Sequence, residues 1–358
     1  MSRRTWALAV AAVALLLAGL VGCGGGGDDA STAACGDQAA DGETSAATVR
    51  KIAIATPEKG NDMGWNAQGI AAVRAIGRER GIEVEVADGA GYDNVGPILS
   101  QLANADADLV IGHASGYNAT QVDVAAQTGV PQLVGDLPDG NEPGLVNAYE
   151  TLAEQGAYLA GYLAARTSRS GKLGIVTSAD ATNWNKQAGG FVAGARAADP
   201  DVEFLEAQIG QAGYADSAGG KRVTNAVIAG GADVVLGMGD GASFGMLQAV
   251  EQASGDVLFI DVIGDKLGID RKGVLLTSIL WDFKPVFEEA VEALEAGRFG
   301  ERVLEMTVAN GGLRLLRTPQ ISDELWAEVE EVRERIAAGE IEVPLTLTKG
   351  EVTRLIRG

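Results

Sequence analysis

Five aromatic residues stand where the chain has little core to fill. Trp65, Tyr117, Trp184, Tyr214 and Trp281 lie in loops or at the ends of apolar runs, with Asp or Asn close by. In NDMGWNAQG (61–69) the tryptophan follows the strand-like KIAIAT (51–56) and the loop PEKG, at the start of a helical pattern. A ring so placed can stack on a planar ligand. Stacking a base on an aromatic ring is worth roughly 1–3 kcal/mol and tolerates any base, since every base has a π face. Asp62, Asn66, Asn118, Asn183 and Asp240 occupy the same corners and can hold a heterocycle edge or ribose hydroxyls. So many corners of one kind imply a single composite site.

Enzymatic chemistry finds less support. GASFG (241–245) matches the G-x-S-x-G nucleophile elbow, but a hydrolase of that class needs a histidine after the serine. The single histidine, His113, comes before it. Ser243 therefore reads as a helix-starting residue and His113 as a hydrogen-bonded loop residue. GMGDGA (237–242) satisfies a loose dinucleotide pattern with Asp261 downstream. Asp240 would repel a phosphate there, and the pattern does not belong to the first βα unit of its domain. Asp240, Asp261 and Asp265 could converge on Mg²⁺, yet carboxylates at strand ends also serve as helix caps and ligand acceptors. Without His or Cys ligands zinc is excluded. No catalytic residue, metal or cofactor is expected, and a Mg²⁺-dependent nucleoside-processing enzyme is the weakest reading.

The elements that must position these residues alternate. KIAIAT (51–56), IEVEVAD (82–88), DLVIGH (108–113) and PQLVGD (131–136) are predicted strands separated by helical stretches. After the helix 151–167 the pattern restarts with KLGIVTS (172–178), VEFLEAQIG (202–210), ADVVLGMG (232–239) and DVLFIDVIG (256–264). Apolar strands separated by helices imply an α/β fold of parallel strands joined by right-handed crossovers. Here that architecture occurs twice, as two doubly wound lobes. Such lobes bind small molecules beyond the carboxyl ends of their strands, and that criterion selects the aromatic corners above. GVLLTSILWD (273–282) adds a strand and FKPVFEEAVEALEAG a helix. VLEMTVANGG and LRLLRT suggest a hairpin around Asn310-Gly311, and SDELWAEVEEVRERIAAG (322–339) a helix capped by Ser322. The expected division is lobe 1 at 49–166 plus about 277–300, and lobe 2 at 167–276 plus about 301–358. Hinge crossings are expected near 150, 167–171 and 265–277.

The first 48 residues differ in kind. Arg3 and Arg4 precede the apolar run WALAVAAVALLLAGL, giving a secretory signal over 1–22. It is too short and wrongly flanked for a membrane span. LVGC resembles the bacterial lipobox, which implies cleavage before Cys23 and its diacylation. Residues 23–48 read as a flexible tether. With Cys23 taken by lipid and Cys35 in the tether, no structural disulfide is expected. The net charge of −21 argues against nucleic-acid polymers and disfavours highly anionic ligands.

Together, the lipobox, the two α/β lobes and the motifs resemble the basic membrane protein (BMP) family over about residues 50–345. The resemblance implies a type I periplasmic-binding-protein fold and a lipid-anchored ABC-transporter binding component for purine bases or nucleosides. NDMGWNAQG is similar to the family's first-loop signature, whose aromatic stacks on the base. TSILWDFKPVFEEAVEALEAGRF (277–299), GADVVLGMGDG (231–241) and GQAGYAD (210–216) fall in family order, which puts Tyr214 at a second stacking position. Two departures stand out: Trp281 replaces a lysine of the nucleoside-binding branch, and its ribose-contacting acidic run reads here Asp261-Val262-Ile263-Gly264-Asp265. Base stacking is thus expected more firmly than ribose recognition. The expected picture is a monomeric binder on the extracytoplasmic face of the cell membrane. Trp65 with Tyr214 or Trp281 would sandwich the ring, and the partners would be a permease and a cytoplasmic ATPase. A sugar-binding or ligand-sensing surface lipoprotein is the alternative.

Overall fold

The computed structural model describes residues 48–211 and 213–358. The signal, Cys23, Cys35 and the tether up to residue 47 lie outside them. In the first lobe β1 (Lys51–Thr56), α1 (Trp65–Arg80), β2 (Glu83–Asp88), α2 (Gly96–Asn104), β3 (Leu109–Gly112), α3 (Asn118–Thr128), β4 (Gln132–Gly135) and β5 (Val146–Thr151) follow one another. The second lobe runs α4 (Ala153–Thr167), β6 (Lys172–Thr177), α5 (Thr182–Ala198), β7 (Glu203–Gln208), α6 (Ser217–Ala229), β8 (Val234–Met238), α7 (Ser243–Glu251), β9 (Leu258–Ile263) and β10 (Leu275–Trp281). The chain closes with α8 (Lys284–Glu295), β11 (Leu304–Met306), β12 (Leu313–Leu315), α9 (Asp323–Ala337) and α10 (Lys349–Arg357).

The two sheets share one strand order, β11-β5-β4-β3-β1-β2 and β12-β10-β9-β8-β6-β7. Every pairing is parallel except β10 with β12. The central strands are apolar on both faces because helices cover both; Ile52, Ala53, Ile54 and Ala55 of β1 are all fully buried. In each sheet the winding reverses beside the first strand, between β1 and β3 and between β6 and β8. The crevice outside the carboxyl ends of those strands is where such folds take ligands.

Several expectations about the chain's path change. There is no hairpin at 304–315: β11 pairs parallel with β5 in the first sheet, and β12 antiparallel with β10 in the second. The Asn310-Gly311 turn lies within a lobe crossing instead. Asn310 Oδ1 accepts from Thr307 N at 3.0 Å and Gly312 N at 3.1 Å, and Gly311 takes a φ of 78°. β5 was not expected as a strand, because Asn147 and Glu150 interrupt its apolar run. Asn147 is nevertheless buried, donating to Arg302 O at 2.8 Å and accepting from Gly300 N at 3.0 Å. The chain passes between lobes at 152, 282–283 and 307–312, whereas 167–171 and 265–277 fall inside the second lobe. α4 packs on α5, α9, β10 and β12, so it belongs with the second lobe, and residues 277–281 belong to the second sheet. The crossings are bonded to one another: Leu152 N donates to Met306 O at 3.0 Å, and Asp282 N to Gly312 O at 2.8 Å.

α9 starts at Ser322 as expected, its side chain accepting from Leu325 N. α10 carries a capping box between Thr348 and Glu351. Among the described residues no helix is long and apolar enough to cross a membrane.

The close crossing of α4 and α5 depends on absent side chains. A Cβ on Gly161 would lie 2.0 Å from Phe191 O, one on Gly190 2.2 Å from Glu154 O, and one on Gly194 1.9 Å from Tyr158 O. Gly194→Val should therefore force these helices apart and lower stability by about 1–3 kcal/mol or more. Urea unfolding of the two proteins measures this directly.

Candidate ligand-binding site

The site is built outward from the first turn of α1. Asp62 sits three residues before the helix and its carboxylate accepts from Gly64 N (3.1 Å), Asn66 N (2.9 Å), Ala67 N (2.9 Å) and Asn66 Nδ2 (2.7 Å). The three backbone donors are ones that a helix start leaves without partners inside the helix, and the negative charge suits the positive end of the dipole. Trp65 is the first residue of that turn. Its Nε1 donates to His113 O at 2.7 Å, and His113 Nε2 donates back to Trp65 O at 3.0 Å. The two rings stack at 4.4 Å with 15° between planes. Gly69 makes room for this, since a Cβ there would stand 2.4 Å from the His113 ring. Burial lowers the His113 pKa to about 4, so at neutral pH the stack holds an uncharged imidazole.

Trp65 thus has more core around it than the sequence implies. Phe283 meets it edge-on at 5.2 Å and Trp281 at 5.9 Å. With one face covered by His113, any stacking partner must use the other face. Trp281 lies at 67° to the ring and is not placed for a parallel sandwich with Trp65.

A cavity of about 690 Å³ opens between the lobes, within the usual range for small-molecule sites. Of the residues expected at a site, Trp65, Asn66, Asn118, Trp184, Tyr214, Asp240 and Trp281 line it, as does Asn183. They come from the ends of β1, β3, β6, β7, β8 and β10. Trp184 is largely buried, its Nε1 donating to Ser178 Oγ at 3.0 Å, with Tyr214 tilted against it at 6.5 Å.

Three expected residues stand off the cavity. Asp62 is occupied as the cap of α1. Tyr117 is fully buried, and its hydroxyl donates to Gly91 O at 2.5 Å. Asp261 is fully buried in an ion pair with the equally buried Lys266. Asp265 is also bound locally, accepting from Leu267 N at 2.8 Å. Among the described residues no group of three or more His, Cys, Asp or Glu is placed to hold a metal ion. Ser243 is buried and its hydroxyl donates to Gly239 O, as befits a helix-starting residue.

The wall also has residues that sequence reasoning missed: Glu58, Tyr92, Ser115, Asp136, Glu150, Asp180 and Lys186. Tyr92 is 55% exposed and rests edge-on against Tyr117 at 6.1 Å, so Tyr117 acts from behind by holding the 91–92 turn. Asp136 follows β4 as its neighbours follow their strands, and that position was the available signal. Glu150 was hidden with the unrecognised β5.

Polar contacts join the lobes across this space. Asn183 Nδ2 donates to Asp136 Oδ2 at 3.0 Å. Lys186 Nζ binds Glu150 Oε2 at 2.9 Å and Thr151 O at 3.2 Å. Lys266 Nζ reaches Met63 O at 3.2 Å, and a Cβ on Gly264 would lie 1.8 Å from the same oxygen. Burial raises the Glu150 pKa, with the Lys186 bond acting the other way. Burial, then the nearby Asp62 charge, raises Asp240 to about 7. Its Oδ1 lies 3.2 Å from where a Cβ on Gly64 would be, so this second-lobe carboxyl abuts the first turn of α1.

A family model described as "ABC transporter substrate-binding protein PnrA-like" matches residues 49–346. Basic membrane protein A of Borreliella burgdorferi is 22% identical over 303 residues, covering 83% of this chain and 88% of that one. The "ABC transporter nucleoside-binding protein BmpA" of Lactococcus lactis is 26% identical over 207 residues, covering 53% and 58%. Among solved structures, an ABC transporter solute-binding protein from Conexibacter woesei superposes with a TM-score of 0.69 at 24% identity, covering 83% of this chain and 99% of its own.

The Asp240 carboxyl gives a pH prediction. The folded protein keeps a proton that the unfolded chain releases near the ordinary aspartate value of about 3.9. Stability attributable to this group therefore falls as pH rises from about 4 to about 7, and levels off above that. Asp240→Asn should raise the melting temperature over wild type at about pH 8, with the gap shrinking toward about pH 4. Calorimetry across that range checks the sign.

Proposed function

Because the chain belongs to the PnrA-like family of ABC transporter substrate-binding proteins, which are binding components and not enzymes, we propose that its interlobe cleft holds a purine base or nucleoside. One observation carries this reading: the Trp65 ring borders the cavity with one face fixed on His113, so a planar ligand would stack on the other. A ring held by one hydrogen bond from its Nε1 and by three aromatic neighbours loses little freedom when a ligand arrives. Tyr214 and Tyr92 are the further rings on the wall suited to enclose the ligand. The name of the Lactococcus relative supports the ligand class.

ABC transporter substrate-binding proteins deliver their ligand to permease subunits. In this reading contacts made from both lobes select the closed clamp that the permease recognises. Cys23 carries lipid that anchors a monomer to the extracytoplasmic face of the cell membrane.

Trp65→Ala should weaken purine binding by about 1–3 kcal/mol and also lower the melting temperature, because the ring is packed on His113 and Phe283 and bonds the His113 carbonyl. Titration of the mature protein with adenine, adenosine, guanosine and inosine, followed by tryptophan fluorescence, measures it. Unchanged affinity would remove Trp65 from the site, and competition by ribose or galactose in place of purines would favour a sugar ligand. Cys23→Ala should move the protein from the membrane fraction to the soluble one, as fractionation and mass spectrometry would show.

A further inference from the structure

Hydrogen-bond supply and demand in the cleft are unequal. Five side-chain atoms of residues that line it are buried without a partner: Asn118 Oδ1, Glu150 Oε1, Asn183 Oδ1, Asp240 Oδ1 and Trp281 Nε1. The two amides are oriented by their own donors. Asn118 Nδ2 donates to Asp136 O at 3.1 Å and Asn183 Nδ2 to Asp136 Oδ2 at 3.0 Å, so in each the oxygen is left over. Four acceptors thus face one donor. Such groups are destabilising while unpaired, and a ligand that pairs them gains accordingly.

Charge points the same way. Glu58, Asp136 and Asp180 line the cleft beside Glu150 and Asp240, whose carboxyls burial shifts toward the neutral form, and Lys186, its one lysine or arginine among the described residues, is already held by Glu150 and the Thr151 carbonyl. The acceptors also fall into two groups. Asp240 stands beside Gly64 and Trp65 at the stacking end. Asn118 and Asn183 are tied together through Asp136, with Glu150 on the neighbouring strand β5.

We propose that the cleft selects its ligand by hydrogen-bond donors: Asp240 accepts from an amino group on the stacked ring, and Asn118, Glu150 and Asn183 accept from hydroxyls at the ligand's other end. This deepens the purine reading and rests on it. Aminopurine nucleosides are the favoured class. Ring systems stripped of N–H groups leave Asp240 unpaired, and nucleotides bring acceptors and negative charge to a wall that already has both in excess.

Calorimetric titration of the mature protein separates these elements. The probes are adenosine, N6,N6-dimethyladenosine (no exocyclic donors), 2′,3′-dideoxyadenosine (no ribose diol) and adenosine 5′-monophosphate. A site built around donors rejects analogues lacking them, so each altered probe should bind at least about tenfold more weakly than adenosine. In Asp240→Ala the dimethyl penalty should disappear while the dideoxy penalty persists; in Asn118→Ala and Asn183→Ala the dideoxy penalty should shrink while the dimethyl penalty persists. Because each variant is judged by a ratio between two ligands, a general loss of affinity does not imitate the result. Equal binding of adenosine and its dimethyl analogue by the wild type would overturn the assignment of Asp240 and leave the purine reading standing. Equal binding of adenosine and the dideoxy analogue would overturn the other half. If no purine binds at all, the purine reading falls and this one with it.

Discussion

The cleft is referred to a single carboxylate, that of Asp62, which gathers four hydrogen bonds at the first turn of α1. That cap fixes where the helix begins, and therefore where Trp65 emerges. The same charge is felt from the opposite lobe: burial first, and then the neighbouring Asp62 carboxylate, raise the Asp240 pKa to about 7. On the other side of Trp65 the constraint is packing. His113 stacks there as a neutral ring because its surroundings of Phe283 and Phe287 would desolvate an imidazolium.

The two lobes contribute different chemistry to a shared geometry. Their sheets have the same strand order, so their switch points face the same space. The first lobe brings a rigid ring together with Asn118, Asp136 and Glu150, and the second brings Asp180, Asn183, Lys186 and Asp240. Where they meet, clearance is minimal: Gly264 passes against the Met63 carbonyl, and Lys266 reaches across to that same oxygen while holding Asp261. A residue that looked like a ribose contact is thus a counter-ion for a lysine that bridges the lobes.

Much of the architecture was legible because buried parallel strands are continuous apolar runs bounded by turns. β1, β3, β8, β9 and β10 follow that rule. β5 does not, since its Asn147 and Glu150 find partners only in the folded chain. The Asn-Gly signal at 310–311 does mark a turn, but local chemistry cannot tell whether the flanking strands pair with each other or with distant ones. Tyr117 and Tyr92 show the same limit at the site. They are far apart in sequence, and only topology sets the hydroxyl of one under the backbone that carries the other. The aromatic corners were readable as a set, while the division into wall and buttress was not. Asp62 and Asp261 resembled ligand acceptors because a cap, a counter-ion and a binding group share one side chain.

The strand exchange near the carboxyl end has a further consequence. β11, drawn from residues 304–306, completes the edge of the first sheet, although the strands it joins end at residue 151. Between them lies nearly all of the second lobe. A growing chain can therefore lay down five strands of the first sheet early but cannot seal it until most of the molecule has been made. Long-range pairings of this kind close slowly. The two halves are interleaved, and no single cut in the backbone would release either of them whole.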